Sequence, residues 1–358
     1  MIYIILGTKA QLVKMAPIMV RLQEKKIPYS FIHTGQHQAT MNEMIRDFGI
    51  KSPDKELYDG PDIVSVPKMF FWIIRILWKS VTKKQEIFDK KEKGIVLVHG
   101  DTFSTLLGAL MGRLAGFRVG HVESGLRSFN LFHPFPEELT RILTFRLSHT
   151  LYCPGQWAID NLGSLKREKI NIYANTMVDT LAITSQKKRK VDHVPDYPFA
   201  LVSLHRYENI FKKETFEEII QQVECIALHQ SLLFILHPPT KKQLYRFNYF
   251  ERVAENPYIE CRERYQHSDF LSLLEQAEFV VTDGGSLQEE SAYLGIPCLL
   301  LRKATERQEG LGENVVLSSY DQKTIEDFVG KYKQYRKKPF HATVSPSDVV
   351  IDSALHYS

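Results

Sequence analysis

Cysteine is scarce in this chain: of 358 residues four are cysteine, and Cys153, Cys225, Cys261 and Cys298 lie far apart with no C-x-x-C pair. That spacing suggests neither a disulfide framework nor a zinc site, and reduced thiols fit a cytoplasmic protein. The histidines show no H-E-x-x-H spacing, so no metal is expected. G-x-G-x-x-G is missing and the Gly-Gly turn at 284–285 is not a Walker loop, so neither a nicotinamide nor any other cofactor is indicated. Long apolar runs are lacking too. The most apolar stretch, MFFWIIRILW (69–78), is broken by Arg75 and is half the length that spans a bilayer. The opening MIYIILGTKA has too short an apolar run for a secretory signal and no basic residues before it. No repeat of 20–50 residues and no low-complexity tract is present.

Charge of one sign does not dominate. The formal net charge of +4 is spread over separate Lys and Arg residues, which favours solubility and gives no reason to expect a nucleic-acid partner. The basic run QKKRK (186–190) reads as a solvated loop between two periodic segments, with a polyanion-binding patch as the alternative.

Hydrophobic residues at 44% and charged ones at 25% are ordinary for a globular protein, and the length calls for two domains. IYIIL (2–6) is followed by Gly7-Thr8 and then by AQLVKMAPIMVRLQEKK, whose apolar residues recur at helical spacing. The same order of strand, turn and helix follows SFIHTG (30–35), IVLVHGD (95–101) and RVGHVES (118–124). A second series runs through FALVSLH (199–205), LLFILHP (232–238), FVVTDGG (279–285) and PCLLLRK (297–303). The alternation predicts an α/β protein of two Rossmann-like, doubly wound parallel sheets facing across a cleft. The boundary is expected at 1–170 and 171–358, with the last helix free to pack back on the first domain. Within 68–79, Lys68, Trp72, Arg75 and Lys79 share one helical face and Phe70, Ile73 and Leu77 turn elsewhere. That pattern fits a helix packed on a sheet with its cations reaching outward, or a peripheral contact with an anionic membrane surface.

In doubly wound sheets ligands bind outside the carboxyl ends of the strands, and the polar residues gather there: Lys9, Asp101, Glu123, His205, Arg206, His237, Asp283, Gly284 and Gly285. TDGGSLQEES (282–291) sets Gly284, Gly285 and Ser286 at the start of a helix, where backbone N–H groups suit a phosphate or the turn is merely structural. Glu290, one turn on, is placed to take the hydroxyls of a ribose. HGD (99–101) and HVE (121–123) each end a strand with an acid. Singly these acids read equally well as helix caps. With Glu137 they make three carboxylates for one crevice, and like charges there raise one another's pKa so that one gives a proton while another takes one.

Over nearly its whole length the chain resembles the UDP-N-acetylglucosamine 2-epimerase family. The resemblance rests on GTKAQLVKMAP (7–17), TGQH (34–37), HGDT (99–102), HVESGLR (121–127), PEELTR (136–141), HRYEN (205–209), DGGSLQEE (283–290) and TERQE (305–309), in the family's order. It implies a glycosyltransferase-B-like arrangement with the nucleotide held mainly by the second domain, a UDP-sugar as substrate and a homodimer. Asp101, Glu123, Glu137 and His205 are then the expected catalytic residues. Lys9, Lys14, Arg141, Arg206, His237, Gly284, Gly285, Ser286, Glu290 and Arg307 are the expected contacts of the UDP-sugar. The reaction implied expels UDP from C1 as C2 loses its proton, giving 2-acetamidoglucal, and adds UDP back with C2 inverted, in the service of surface polysaccharide. A hydrolysing variant that releases N-acetylmannosamine and UDP, and a glycosyltransferase on the same scaffold, are the alternatives. Lys9 and Ala10 stand where the family has Arg and Pro, and Lys lacks the bidentate fork of Arg. Gly284 stands where the family has Ser, and Ala39 and Thr40 replace longer polar side chains after TGQH, where a second UDP-sugar binds in bacterial members.

Overall fold

The computed structural model describes residues 1–38, 41–63, 65–88, 93–131, 135–186 and 194–357. Ala39, Thr40, His133 and most of the QKKRK run lie outside them. Among the described residues thirteen strands form two parallel sheets. The first holds β1 (Ile2–Leu6), β2 (Tyr29–His33), β3 (Lys55–Glu56), β4 (Ile95–His99), β5 (Arg118–Val122), β6 (Thr150–Cys153) and β7 (Glu168–Asn171), in the order β3-β2-β1-β4-β5-β6-β7. The second holds β8 (Phe199–Ser203), β9 (Ser231–Leu236), β10 (Ile259–Glu263), β11 (Val280–Thr282), β12 (Cys298–Leu300) and β13 (Val315–Leu317), in the order β10-β9-β8-β11-β12-β13.

Each sheet reverses its strand order once, between β1 and β4 in the first and between β8 and β11 in the second. Loops leaving the two strands at such a point diverge to opposite sides and open a crevice at the carboxyl ends. In the first sheet the crevice is bounded by Gly7-Thr8 and Gly100-Asp101. In the second it is bounded by Leu204-His205 and Asp283-Gly284. The central strands β1, β4 and β8 are buried along their whole length, as a sheet covered by helices on both faces requires.

The chain divides into Met1–Ser185 with Ala342–Ser358, and Gln186–His341. The expected boundary at 170 therefore moves, and the C-terminal helix joins the first unit. Pro17 lies inside helix Lys9–Glu24 and has no N–H to offer the carbonyl of Val13 four residues back. Thr180 Oγ1, on helix Met177–Gln186, donates to that carbonyl at 2.7 Å. Asp179 of the same helix accepts from Ser347 N and Ser345 Oγ, both at 2.9 Å, at the start of helix Pro346–Leu355. Asp348 of that last helix pairs with Arg21 at 2.6 Å and Lys25 at 2.9 Å.

The face expected of residues 68–79 is corrected. In helix Val66–Thr82, Trp72 is buried and donates its indole N–H to Thr34 O at 3.0 Å, because an indole is best placed where its body is dry and its N–H has an acceptor. Ile76 is buried beside it. Phe70, Phe71, Ile74, Trp78 and Val81 are instead 48–70% exposed. No helix among the described residues is long and apolar enough to cross a membrane.

Candidate active site

In the first unit the site begins at the turn after β1. Thr8 caps helix Lys9–Glu24 in a capping box with Gln11, and Gln11 Oε1 also accepts from Gly7 N at 2.9 Å. The Gln11 amide nitrogen reaches across to His99 O and Thr105 Oγ1, each at 2.8 Å, tying the β1 turn to the β4 turn. A Cβ on Gly7 would lie 2.0 Å from Ser104 Oγ and 2.1 Å from Thr34 Oγ1, so only glycine allows this approach.

β4 and β5 run in register from Ile95↔Arg118 to His99↔Val122, which brings Asp101 and Glu123 out at neighbouring strand ends. Glu123 has φ 64°, a left-handed conformation that costs a residue with a Cβ about 1 kcal/mol and is held here by its contacts. Its carboxylate is buried and pairs with Lys14, itself 2% exposed. Oε2 also accepts from Asn175 Nδ2 at 2.6 Å and faces His99 Nε2 at 3.6 Å. Burial pushes His99 down to about 3 against the opposing pull of Glu123, so the imidazole is neutral. His121, held by Gly100 O and Ser124 Oγ at 2.7 Å each, is lowered to about 4 by the same cause.

Asp101 is the more exposed acid, with 22% of its side chain accessible against 4% for Glu123. Arg141 Nε and Nη2 contact its Oδ2 at 2.9 and 2.5 Å. Glu137 opens helix Glu137–Leu147, and the single Thr140 hydroxyl proton has both Glu137 O, at 2.9 Å, and Asp101 O within reach as acceptors, so the helix start abuts the β4 turn. Lys9 is the first residue of its helix and half-buried. The first unit thus brings together Asp101, Glu123, Lys14 and Arg141. It pairs the two cations with the two acids in a buried setting, where they had been expected simply to face the substrate.

In the second unit Asp283, fully buried, accepts from His205 N at 3.0 Å, Arg206 N at 3.0 Å and Asn209 Nδ2 at 3.0 Å. One carboxylate therefore folds the HRYEN turn around itself. The His205 ring stays partly exposed, lies 4.5 Å from the His237 ring, and is held below its ordinary pKa by burial against the pull of Asp283. His237 receives or gives a hydrogen bond to Ser203 Oγ at 3.1 Å. Gly284 and Gly285 begin helix Gly285–Leu294, whose first turn carries no side-chain cap. Its N–H groups and dipole make a place for an anion, with the His205 Cε1 atom only 2.9 Å from where a Cβ on Gly284 would be. Ser286 is exposed beside it.

The consecutive acids of QEE separate in role. Gln288 Nε2 bonds Arg307 O and Glu309 O at 3.3 and 3.1 Å, and Glu289 pairs with the Arg307 guanidinium. Glu290 turns to His267 Nε2 at 3.0 Å. Arg307 is consequently engaged with Glu289 and lies over Gly285, where a Cβ would come within 2.6 Å of its Nε. Sequence reasoning passed over Gln11, His99, Glu138, Asn175, Asn209 and His267. Of these, Asn175 carried a signal as the cap before a helix, since its Oδ1 accepts from Met177 N at 3.0 Å.

Comparison with known proteins gives consistent relatives. A family model described as UDP-N-acetylglucosamine 2-epimerase matches residues 21–345. The chain is 32% identical to a UDP-N-acetylglucosamine 2-epimerase of Methanocaldococcus jannaschii, covering 94% of each chain. It is 30% identical to the UDP-2,3-diacetamido-2,3-dideoxy-D-glucuronate 2-epimerase of Pseudomonas aeruginosa, over 88% of this chain and 87% of that one. The crystal structure of UDP-GlcNAc 2-epimerase from Neisseria meningitidis bound to UDP-GlcNAc superposes with a TM-score of 0.86 at 25% identity, over 99% of each chain.

Proposed function

We propose that this chain, which belongs to the UDP-N-acetylglucosamine 2-epimerase family, interconverts UDP-N-acetylglucosamine and UDP-N-acetylmannosamine by expelling UDP from C1 and adding it back after inversion at C2. The observation that carries the reading is the pair of carboxylates at neighbouring strand ends, Asp101 on Arg141 and Glu123 on Lys14, each paired with a buried cation. The proton on C2 is too weakly acidic to be removed alone, so its loss must be concerted with departure of the diphosphate. One carboxylate takes the proton as the C1–O bond breaks and the C1–C2 double bond forms. Return of a proton to the opposite face needs a second carboxyl group, and Glu137 at the edge of the same crevice is assigned that part.

In the second unit, the N–H groups at Gly285 and Ser286, with His205 and Arg206, stabilise the negative charge that grows on the leaving UDP. Glu290, oriented by His267, takes the ribose hydroxyls. Lys9, the first residue of helix Lys9–Glu24, is assigned to the UDP-sugar as a further cation. The Pseudomonas relative is named for a different 2-acetamido sugar nucleotide, so the shared requirement is the 2-acetamido UDP-sugar. Proton NMR of the products from UDP-N-acetylglucosamine alone tests the reading. UDP-N-acetylmannosamine is expected. Free N-acetylmannosamine would mean that water replaces the returning UDP, and transfer only when an acceptor is added would place the chain among glycosyltransferases.

We assign the exposed face of helix Val66–Thr82 to contact between two copies of the chain in the cytoplasm. Phe71, Ile74, Trp78 and Val81 follow one another at helical spacing, and an apolar strip of that kind is better covered by its own symmetry mate than by water. Binding to vesicles of anionic lipid, with a monomer in solution, would favour the membrane alternative.

A further inference from the structure

Next to Glu137, Glu138 is a charge with no exposure at all. An isolated buried carboxylate is costly, so its partners indicate what it is for. Oε1 accepts from Arg127 Nε at 2.5 Å, and Oε2 accepts from Ser128 N at 3.0 Å and faces Arg141 Nη1 at 3.4 Å. Arg141 is therefore held on two sides. Its Nη1 edge is turned to Glu138, and its Nε and Nη2 both converge on a single oxygen of Asp101, Oδ2. Oδ1 of Asp101 accepts no hydrogen bond from any described residue. A guanidinium free to turn in its plane would prefer the forked arrangement, one N–H on each carboxylate oxygen. The contact with Glu138 opposes that turn.

We propose that Glu138 is a positioning residue for the epimerisation: working through Arg141, it keeps Oδ1 of Asp101 open to receive the C2 proton. The inference rests on the function proposed above. In the step concerned, the C2–H bond breaks and its proton passes to Oδ1. The electron pair forms the C1–C2 double bond, and the C1–O bond breaks with its pair leaving on UDP. Asp101 rather than Glu123 is assigned this proton because it is the more exposed of the two and has an oxygen not engaged by any described residue, whereas Glu123 Oε2 already meets Lys14, Asn175 and His99.

The test compares E138Q with R127Q in the full-length protein. E138Q keeps the shape and removes the charge that holds Arg141. R127Q removes the other guanidinium on Glu138 and leaves its contact with Arg141. E138Q should lower kcat about 10- to 100-fold, the cost of a misplaced reacting group, with KM for the UDP-sugar within roughly threefold. R127Q should melt lower but keep kcat within roughly threefold. Unchanged kcat in E138Q, or parallel losses of kcat and melting temperature in both variants, would overturn the proposal. Should E138Q not fold, the charge-balanced R127Q/E138Q variant asks the same question: loss of kcat is expected, and wild-type kcat overturns the idea. Wild-type protein that leaves the C2 hydrogen unexchanged in D₂O defeats the epimerase reading instead, so the two failures are distinct.

Discussion

Glu123 is a carboxylate in a left-handed backbone conformation, buried, and bonded to a lysine that is buried as well. Removing one partner of such a pair costs more than the pair itself contributes, because the other charge is stranded. K14M should therefore lower unfolding free energy by about 3–5 kcal/mol in urea titrations, while the K14M/E123Q double variant recovers part of that loss. For activity, D101N and E137Q should each lower kcat by about 10²-fold or more, the scale of acid–base catalysis. UDP affinity by calorimetry should stay near wild type, since the assigned phosphate contacts are other residues. Histidines set the acid side of stability. Burial lowers His33 to about 4, His99 to about 3 and His121 to about 4. Between those values and about 6.5 the unfolded chain binds protons that the folded chain refuses, so stability rises with pH and is lost as pH falls through this window. Each histidine contributes a slope of about 1.4 kcal/mol per pH unit. Urea midpoints at pH 6.5, 5.5 and 4.5 should fall in that order, and H33N should flatten the decline. An unchanged slope in H33N would assign the effect to carboxylates.

Among the elements, the strands that lead into the two crevices were legible because they are short, almost wholly apolar and followed within two residues by glycine or histidine: IYIIL, IVLVH and FALVS can hardly be anything else. The edge strands β7 (EKIN) and β10 (IECRE) were not, since an edge strand is half solvated and its polar residues break the pattern. The carboxylates of HGD, HVE and PEE could be named from their strand-end or helix-start positions. What each one touches could not, because Lys14, Asn175 and Arg141 reach them from helices or loops remote in sequence. The same limit hid the bond by which Thr180, on the last helix before residue 185, meets a first-unit carbonyl that Pro17 leaves without its usual donor. T180V should cost about 1–3 kcal/mol by stranding that carbonyl. In a P17A background, where the helix can supply the N–H, the penalty should shrink, and equal penalties in both backgrounds would contradict the account. At the β1 turn, G7A should destabilise by about 1–3 kcal/mol through overpacking on Ser104 and Thr34, and G7A/S104A should recover some of it.

For the whole molecule, the exposed strip on helix Val66–Thr82 ties oligomeric state to one surface. Sedimentation velocity should find a dimer for the wild type and a monomer for a W78E/F71E variant with unchanged melting temperature, and a monomeric wild type would return that strip to the membrane alternative. Chemistry and assembly are separable in this way, and the chemistry is the central claim. Wild-type protein incubated with UDP-N-acetylglucosamine in D₂O, followed by proton NMR, tests it most directly. Two sets of sugar signals should appear, those of the gluco and manno nucleotides, with the C2 proton replaced by deuterium in both at equilibrium, because a carboxyl group in an open crevice exchanges with solvent before it returns its proton. A single unchanged set of signals, with C2 still protonated at high protein concentration, would contradict it.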